Sequence, residues 1–364
     1  MSQLAQALSG KRVVICAGAG GVGKTTVSAA IALGLAAKGR RVALVTIDPA
    51  RRLAEALGLD ALDNQPQPVD LARLEGLGTH VRGELFAMML DSKRTFDELI
   101  ELLAPDPRTK EQILANPIYG HISTAVAGSQ EYTAVAKLFE LEHEKDYDVI
   151  VLDTPPSRHA IDFLEAPDRL TAFLEGRALN ALLRPSGRAM RAAGIVFAAL
   201  RRITGVELLD ELTTLFRLLA GMLDGFRRRA ADVHVLLGAP ETGFLIVTSP
   251  ERSAIDETVF FAAGLDRARL HRCGVIVNRV HPLDPAPHDT VAVAARLHEQ
   301  LGSRLARKVA HTHVELQRLA DRDAGAIDRL RQALNDDPLC LPDRGLDIHD
   351  IESLVALNND LFAG

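Results

Sequence analysis

The stretch Gly18-Ala19-Gly20-Gly21-Val22-Gly23-Lys24-Thr25-Thr26 constrains this chain more than any other. It follows an apolar run at 13–17 and opens a helical pattern, in which Val27, Ile31 and Leu35 recur four apart. Gly39 is placed to end that helix. A second apolar run at 41–47 then ends in Asp48-Pro49. Strand, glycine loop, helix and strand make a βαβ unit. Runs that are apolar throughout, rather than alternating, predict a parallel sheet covered on both faces.

Two motifs overlap in the loop. Gly18, Gly20 and Gly23 satisfy G-x-G-x-x-G, and Asp48 stands where a dinucleotide fold puts its ribose ligand. The full stretch also satisfies G-x-x-x-x-G-K-T, which accounts for more residues, including a lysine that the first motif does not need. In the second reading, Gly18, Gly20, Gly21, Val22 and Gly23 turn backbone N–H groups toward phosphate oxygens. Lys24 reaches the terminal phosphates, Thr25 ligates Mg²⁺, and Thr26 completes the helix start, whose positive end faces the same anion. The expected cofactors are therefore ATP and Mg²⁺.

Two carboxylates fit the same chemistry. The buried run at 149–153 delivers Asp153 at a strand's carboxyl end, where a metal-bound water needs an acceptor. Alone, this pattern is equally that of a strand meeting a polar turn. Asp48 also closes a strand and is expected to orient the attacking water or join the metal shell. A helix N-cap before residues 50–57 is a compatible second role.

The rest of the chain has a split layout. Sheet-forming segments are expected at 12–47, 147–152, 244–248 and 273–277. Between them, residues 80–144 and 160–238 read as helix-rich blocks. Residues 81–103, with Leu85, Met88, Met89, Phe96, Leu99, Ile100 and Leu103, read as one long helix or two shorter ones. A short strand is expected within 69–74, and helices at 125–144, 253–263, 290–301 and 314–332. The tail reads as an extended stretch and a helix opened by Asp347 or Asp350. Residues 1–364 are expected to form a single domain with the two helical blocks inserted.

Composition bounds the alternatives. With 364 residues, 47% hydrophobic, the chain can bury a core without disulfides. Lys and Arg total 42 against 48 Asp and Glu, a net charge of -6, which argues against a nucleic-acid partner. Cys16, Cys273 and Cys340 lie far apart, so no zinc site is expected, and a reducing, cytoplasmic setting is. The apolar run at 192–200 is far shorter than the roughly 20 residues a membrane span needs. Four of the five methionines, Met88, Met89, Met190 and Met222, fall in the helical blocks, where they suit core filling better than a client groove.

These motifs together resemble the arsenite-pump and tail-anchored-protein-targeting ATPase family, a branch of the deviant-P-loop ATPases. The resemblance runs over nearly the whole chain. It rests on residues 18–26, on Asp48-Pro49-Ala50 as a first switch, on Asp153-Thr154-Pro155-Pro156-Ser157 with His159 as a second, and on Val275-Ile276-Val277-Asn278-Arg279. It implies a P-loop NTPase of the α/β class, with a mostly parallel central sheet flanked by helices and an inserted helical subdomain. It also implies that Asp48 orients water and that Asn278 reads the adenine edge. A two-fold dimer is implied, as a homodimer or with a related ATPase, together with a protein client and membrane association only through a partner.

Three departures stand out. Ala19 occupies the place of a lysine that, in the family, reaches the neighbour's nucleotide. This implies slow turnover, a substitute cation such as Arg51, Arg52 or Arg158, or a partner that supplies the lysine. The first switch continues Arg51-Arg52-Leu53 rather than with His and a small polar residue. No cysteine pair suits interfacial zinc or arsenite, which counts against arsenite transport.

Overall fold

Side chains along each central strand point alternately to two apolar layers, and this alternation organises the molecule. The computed structural model describes residues 2–47, 52–72, 81–120, 129–154, 172, 206–283, 289–345 and 350–362. Its sheet has eight strands: β1 (Val13–Ala17), β2 (Arg41–Thr46), β3 (Gln67–Pro68), β4 (Glu84–Met89), β5 (Val149–Asp153), β6 (Thr242–Thr248), β7 (Arg272–Val280) and β8 (Leu339–Pro342). Their order is β3-β4-β2-β5-β1-β6-β7-β8. Every pairing is parallel except β3 with β4. Pro68 sits in that edge strand, where its missing N–H does no harm.

Val14, Cys16, Val42, Leu44, Val149 and Val151 face one core layer. Helices α1 (Gln3–Ala7), α2 (Lys24–Ala37), α3 (Arg52–Ala56) and α11 (Ile351–Phe362) contribute to it. Ile15, Ala43, Val45, Ile150, Leu152 and Ile246 face the opposite layer. That side is covered by α6 (Ser129–Glu144), α8 (Leu223–Gly238), α9 (Arg252–Arg267) and α10 (Thr290–Leu334). With both faces covered, β1 and β5 are buried at every position, as their unbroken apolar runs predict.

Helix α2 is buried on more than one side. It lies between the sheet and α11, where Asn358 Nδ2 donates to the Ala30 carbonyl at 2.8 Å. Gly34, where a Cβ would meet Asn358 and Phe362, permits this approach, which the spacing of Val27, Ile31 and Leu35 does not reveal. Asp350 caps α11 by accepting from the Ser353 N–H at 2.7 Å.

A third apolar cluster joins α4 (Ser92–Leu103), α5 (Pro107–Leu114) and α7 (Val206–Ala220) to parts of α6 and α8. Phe96, Ile100, Tyr119, Leu215, Met222 and Phe226 lie within it.

The helical reading of residues 81–103 is wrong in its first part. Residues 84–89 form β4, paired in register with β2 over its length. Leu85 and Ala87 face one layer, while Met88 faces the other. An apolar run covered on both sides carries no period that separates strand from helix. The short strand expected within 69–74 is instead β3, a little earlier. The two helices expected at 290–301 and 314–332 are both present within α10, separated by the non-helical Gly302 (φ 69°, ψ 160°), and the second begins soon after that glycine. Among the described methionines, Met88 and Met222 fill cores and Met89 packs partly buried against one. Met190 and residues 192–200 lie outside the described residues, as does most of 160–205. Among the described residues, no helix is long and apolar enough to cross a membrane.

Candidate phosphate-binding site

The carboxyl ends of β1, β2 and β5 meet at one level. Register pairs Cys16 with Asp153, and Asp153 with Thr46. The glycine loop leaves β1 at that level and enters α2. Open parallel sheets collect ligands at such an edge.

Two glycines shape the loop by close approach. A Cβ on Gly18 would run into the Val247 carbonyl of β6. Gly23 has φ 91° and precedes α2, and a Cβ there would fall on the Asn278 amide. Gly20 and Gly21 are exposed on the rim, while Val22 is buried and anchors the loop to the core.

Lys24 is the first residue of α2 and is buried. Its Nζ donates to the Ala19 carbonyl at 2.8 Å, so the ammonium folds back across the loop. Thr25 Oγ1 donates to Asp153 Oδ2 at 2.5 Å, and Thr46 Oγ1 donates to the same oxygen at 2.9 Å. Asp153 is buried. Thr26 lies half-buried in the first turn of α2. Thr154 ties the start of the second switch to β1: its N–H and its hydroxyl both donate to the Cys16 carbonyl, at 3.2 and 2.9 Å.

Asn278 ends up against the loop: its Nδ2 donates to the Val22 carbonyl at 2.9 Å. Arg279 Nη1 donates to the Gly21 carbonyl at 3.2 Å. Asp48, Arg51, residues 155–157, Arg158 and His159 lie outside the described residues, as does the side chain of Arg52.

Strand, loop, buried lysine and a threonine paired with a strand-end aspartate are brought together in one place. A family profile described as anion-transporting ATPase matches residues 11–320, which include all of these groups. The chain belongs to the anion-transporting ATPase family.

Several relatives are similar over much of this family member. The arsenical pump-driving ATPase of Escherichia coli is 26% identical over 283 residues, covering 78% of this chain and 42% of the relative. ATPase GET3A of Arabidopsis thaliana is 27% identical over 270 residues, covering 73% and 66%. ATPase GET3 of Malassezia globosa is 31% identical over 161 residues, covering 44% of each. The chain thus spans between 42% and 66% of the length of these relatives.

The donor set of this family member suits a nucleoside triphosphate with Mg²⁺. An ammonium, a glycine-rich turn and a hydroxyl–carboxylate pair are the groups that such a ligand needs. Burial pushes the Cys16 thiol, beneath the loop, up to about 12 and the Cys273 thiol up to about 11. Both stay protonated at neutral pH.

Sequence reasoning missed a cleft of about 430 Å³ beside the loop. It lies between residues 19–22 and the start of α9, and Glu251, Glu257, Arg279, His281, Arg322 and Asp343 line it. Asp323, fully buried, holds His281 there. It accepts from Nδ1 at 2.7 Å and from the backbone N–H at 3.1 Å, while Arg322 Nη2 reaches its other oxygen at 3.2 Å. His281 lies three residues beyond Asn278, at the end of the same strand. That position was its one visible signal.

Proposed function

We propose that this family member binds and hydrolyses ATP with Mg²⁺ and couples its nucleotide state to a protein partner. The observation that carries the reading is the Thr25–Asp153 hydrogen bond beside the Lys24 ammonium, at the carboxyl edge of a parallel sheet. In this reading Lys24 leaves the Ala19 carbonyl to meet the terminal phosphates. Gly18, Gly20, Gly21, Val22, Gly23 and Thr26 frame the phosphate site. Thr25 and Asp153 hold the metal and its water, with Asp48 orienting the attacking water and sharing the metal shell. Asn278 serves nucleotide binding from β7. Bound Mg²⁺ supplies charge neutralisation across the β and γ phosphates.

Support for coupling comes from Asn64, which follows the first switch in sequence. Its Oδ1 accepts from the Asp91 N–H and the Thr95 hydroxyl, at 3.1 and 3.2 Å, and its Nδ2 donates to Glu98. Glu98 also meets the buried Lys137 of α6 at 3.4 Å. A displaced switch segment would therefore pull on the helices within 80–144, and a matching shift in 160–238 completes the proposed moving insert.

The active unit is a two-fold dimer, either of this chain or with a related ATPase. A second reading, a nucleotide-holding regulatory subunit with weak turnover, is favoured by Ala19, whose methyl group brings no charge to the loop. Arsenite transport fits less well, because Cys16, Cys273 and Cys340 all lie on strands of the sheet, outside the helical blocks.

Titration calorimetry and steady-state hydrolysis with ATP and Mg²⁺ test the reading, with Lys24→Ala as the comparison. Binding and turnover should both collapse in that variant; unchanged values would remove the assignment. Turnover that rises on addition of cell extract separates the switch from the regulatory subunit. Light scattering at several concentrations tests the dimer, which a monomer in every nucleotide state rejects. Hydrogen exchange with ADP and with a non-hydrolysable ATP analogue tests the insert.

A further inference from the structure

We infer that Asn278 and Arg279 clamp the carbonyl side of the phosphate loop, and that this clamp sets how tightly the loop holds a polyphosphate, whatever base is attached. The inference rests on the nucleotide reading of residues 18–26.

Two consecutive residues of β7 meet two consecutive carbonyls of the loop. Asn278 Nδ2 donates to the Val22 carbonyl at 2.9 Å, and Arg279 Nη1 donates to the Gly21 carbonyl at 3.2 Å. A peptide unit is planar, and in its trans form the C=O and the following N–H point in opposite directions. Fixing the Gly21 carbonyl therefore also fixes the Val22 N–H, and fixing the Val22 carbonyl fixes the Gly23 N–H. With the carbonyls held outward by β7, these N–H groups are aimed to the other side, as an anion-binding nest requires. A loop already held in this form loses less freedom when an anion binds, which strengthens binding without any direct contact to the ligand.

Both halves of the clamp are shaped for each other. A side chain on Gly23 would occupy the place of the Asn278 amide, so glycine there lets the amide reach Val22. Arg279 has φ 60°, a left-handed backbone that a residue with a Cβ seldom adopts. Such a conformation persists where surrounding contacts over-determine it, and here it accompanies a guanidinium turned back to the loop. Asn278 and Arg279 are positioning residues in this account: they act on the ligand through Gly21, Val22 and Gly23. An adenine reader would behave differently, because its removal would change the preference among bases and leave base-free phosphate untouched.

The test measures the affinities of ATP, GTP and inorganic tripolyphosphate, each with Mg²⁺, by calorimetry. It uses the unaltered chain, Asn278→Ala, Asn278→Asp, Arg279→Gly and Arg279→Lys. Loss of one part-buried neutral hydrogen bond should weaken all three ligands by about tenfold and by the same factor in Asn278→Ala. Asn278→Asp, close in shape but an acceptor facing a carbonyl, should weaken them further. Arg279→Gly suits the left-handed backbone and removes only the guanidinium; an exposed contact predicts roughly a threefold loss, shared by all three ligands. Arg279→Lys keeps the charge and should recover part of it. Melting temperatures confirm that each variant is folded. In hydrolysis the Asn278→Ala effect should appear as a raised KM.

The clamp is overturned if Asn278→Ala shifts the ATP-to-GTP ratio while tripolyphosphate affinity holds, or if Arg279→Gly changes none of the three. An unaltered chain that binds neither ATP nor tripolyphosphate overturns the nucleotide reading along with the clamp. Tight binding by the unaltered chain with indifferent variants overturns the clamp alone.

Discussion

Thr25 donates its hydroxyl hydrogen to Asp153 across 2.5 Å, joining the first turn of α2 to the carboxyl end of β5. The two residues are far apart in sequence, and the pairing of β1 with β5 brings them together. A hydroxyl oxygen and a carboxylate at this distance could share one small, hard cation once the hydroxyl hydrogen rotates away from between them.

Thr25→Ala and Asp153→Asn should therefore uncouple nucleotide binding from Mg²⁺. At fixed ATP, the Mg²⁺ dependence of affinity should weaken at least roughly tenfold in each variant, since even outer-shell partners of metals matter that much. A chelator should reduce the unaltered chain to the same level. Titration of Mg²⁺ against a fluorescent ATP analogue reads the effect, and identical metal dependence in all three proteins would remove these residues from the metal site.

Asp48 is expected to act on turnover rather than on binding. Asp48→Asn should hold ATP while hydrolysis falls by about 10²-fold or more, the range of a positioned acid–base group. Single-turnover hydrolysis separates the two effects. A normal rate in the variant would leave Asp48 as a helix cap.

At Gly34, α11 packs directly against α2. A Cβ there would strike the Asn358 amide and the Phe362 ring. Gly34→Ala should push α11 outward and lower stability by about 1–3 kcal/mol, the usual effect of an overfilled core. Adding Phe362→Ala should return part of that loss. Thermal unfolding of the single and double variants checks this; a single variant as stable as the parent would show that α11 shifts without strain.

The cysteines give a pH-dependent prediction. Cys16 is raised from 9.0 to about 12 and Cys273 from 9.0 to about 11, each chiefly by burial. Below pH 9 both thiols are protonated in the folded and the unfolded chain alike, so they do not alter the balance. Above pH 9 the unfolded chain releases these protons and the folded chain does not, so stability should fall from about pH 9 toward pH 12. Cys340, exposed on β8, should be alkylated first in the native protein. Rapid native labelling of all three thiols at pH 8 would contradict this.

Much of the candidate phosphate site was legible because its residues are contiguous. Residues 18–26 are contiguous, and a glycine loop before a lysine and a threonine allows few other uses. The apolar runs of β1, β2, β5 and β6 were legible because strands buried on both faces need apolar residues at every position. Residues 84–89 were misread for the same reason. Leu85, Met88 and Met89 also fit a helical spacing, and only pairing with β2 settles their conformation.

The sequence by itself determined the loop's composition, the places of β1, β2, β5, β6 and β7 along the chain and the presence of Asp153 at a strand end. Tertiary structure decided which distant groups meet there. Asn278 and Arg279 reach the loop across more than 250 intervening residues, and nothing near them in sequence announces Val22 or Gly21 as partners. The same holds for Asp323, which fixes His281 from α10, and for α11, which lies over Gly34. Backbone propensity and apolar period act over a few residues, so a sequence displays them directly. Contacts between strand ends depend on the order in which strands pair, and that order is set by how all the apolar faces are buried together.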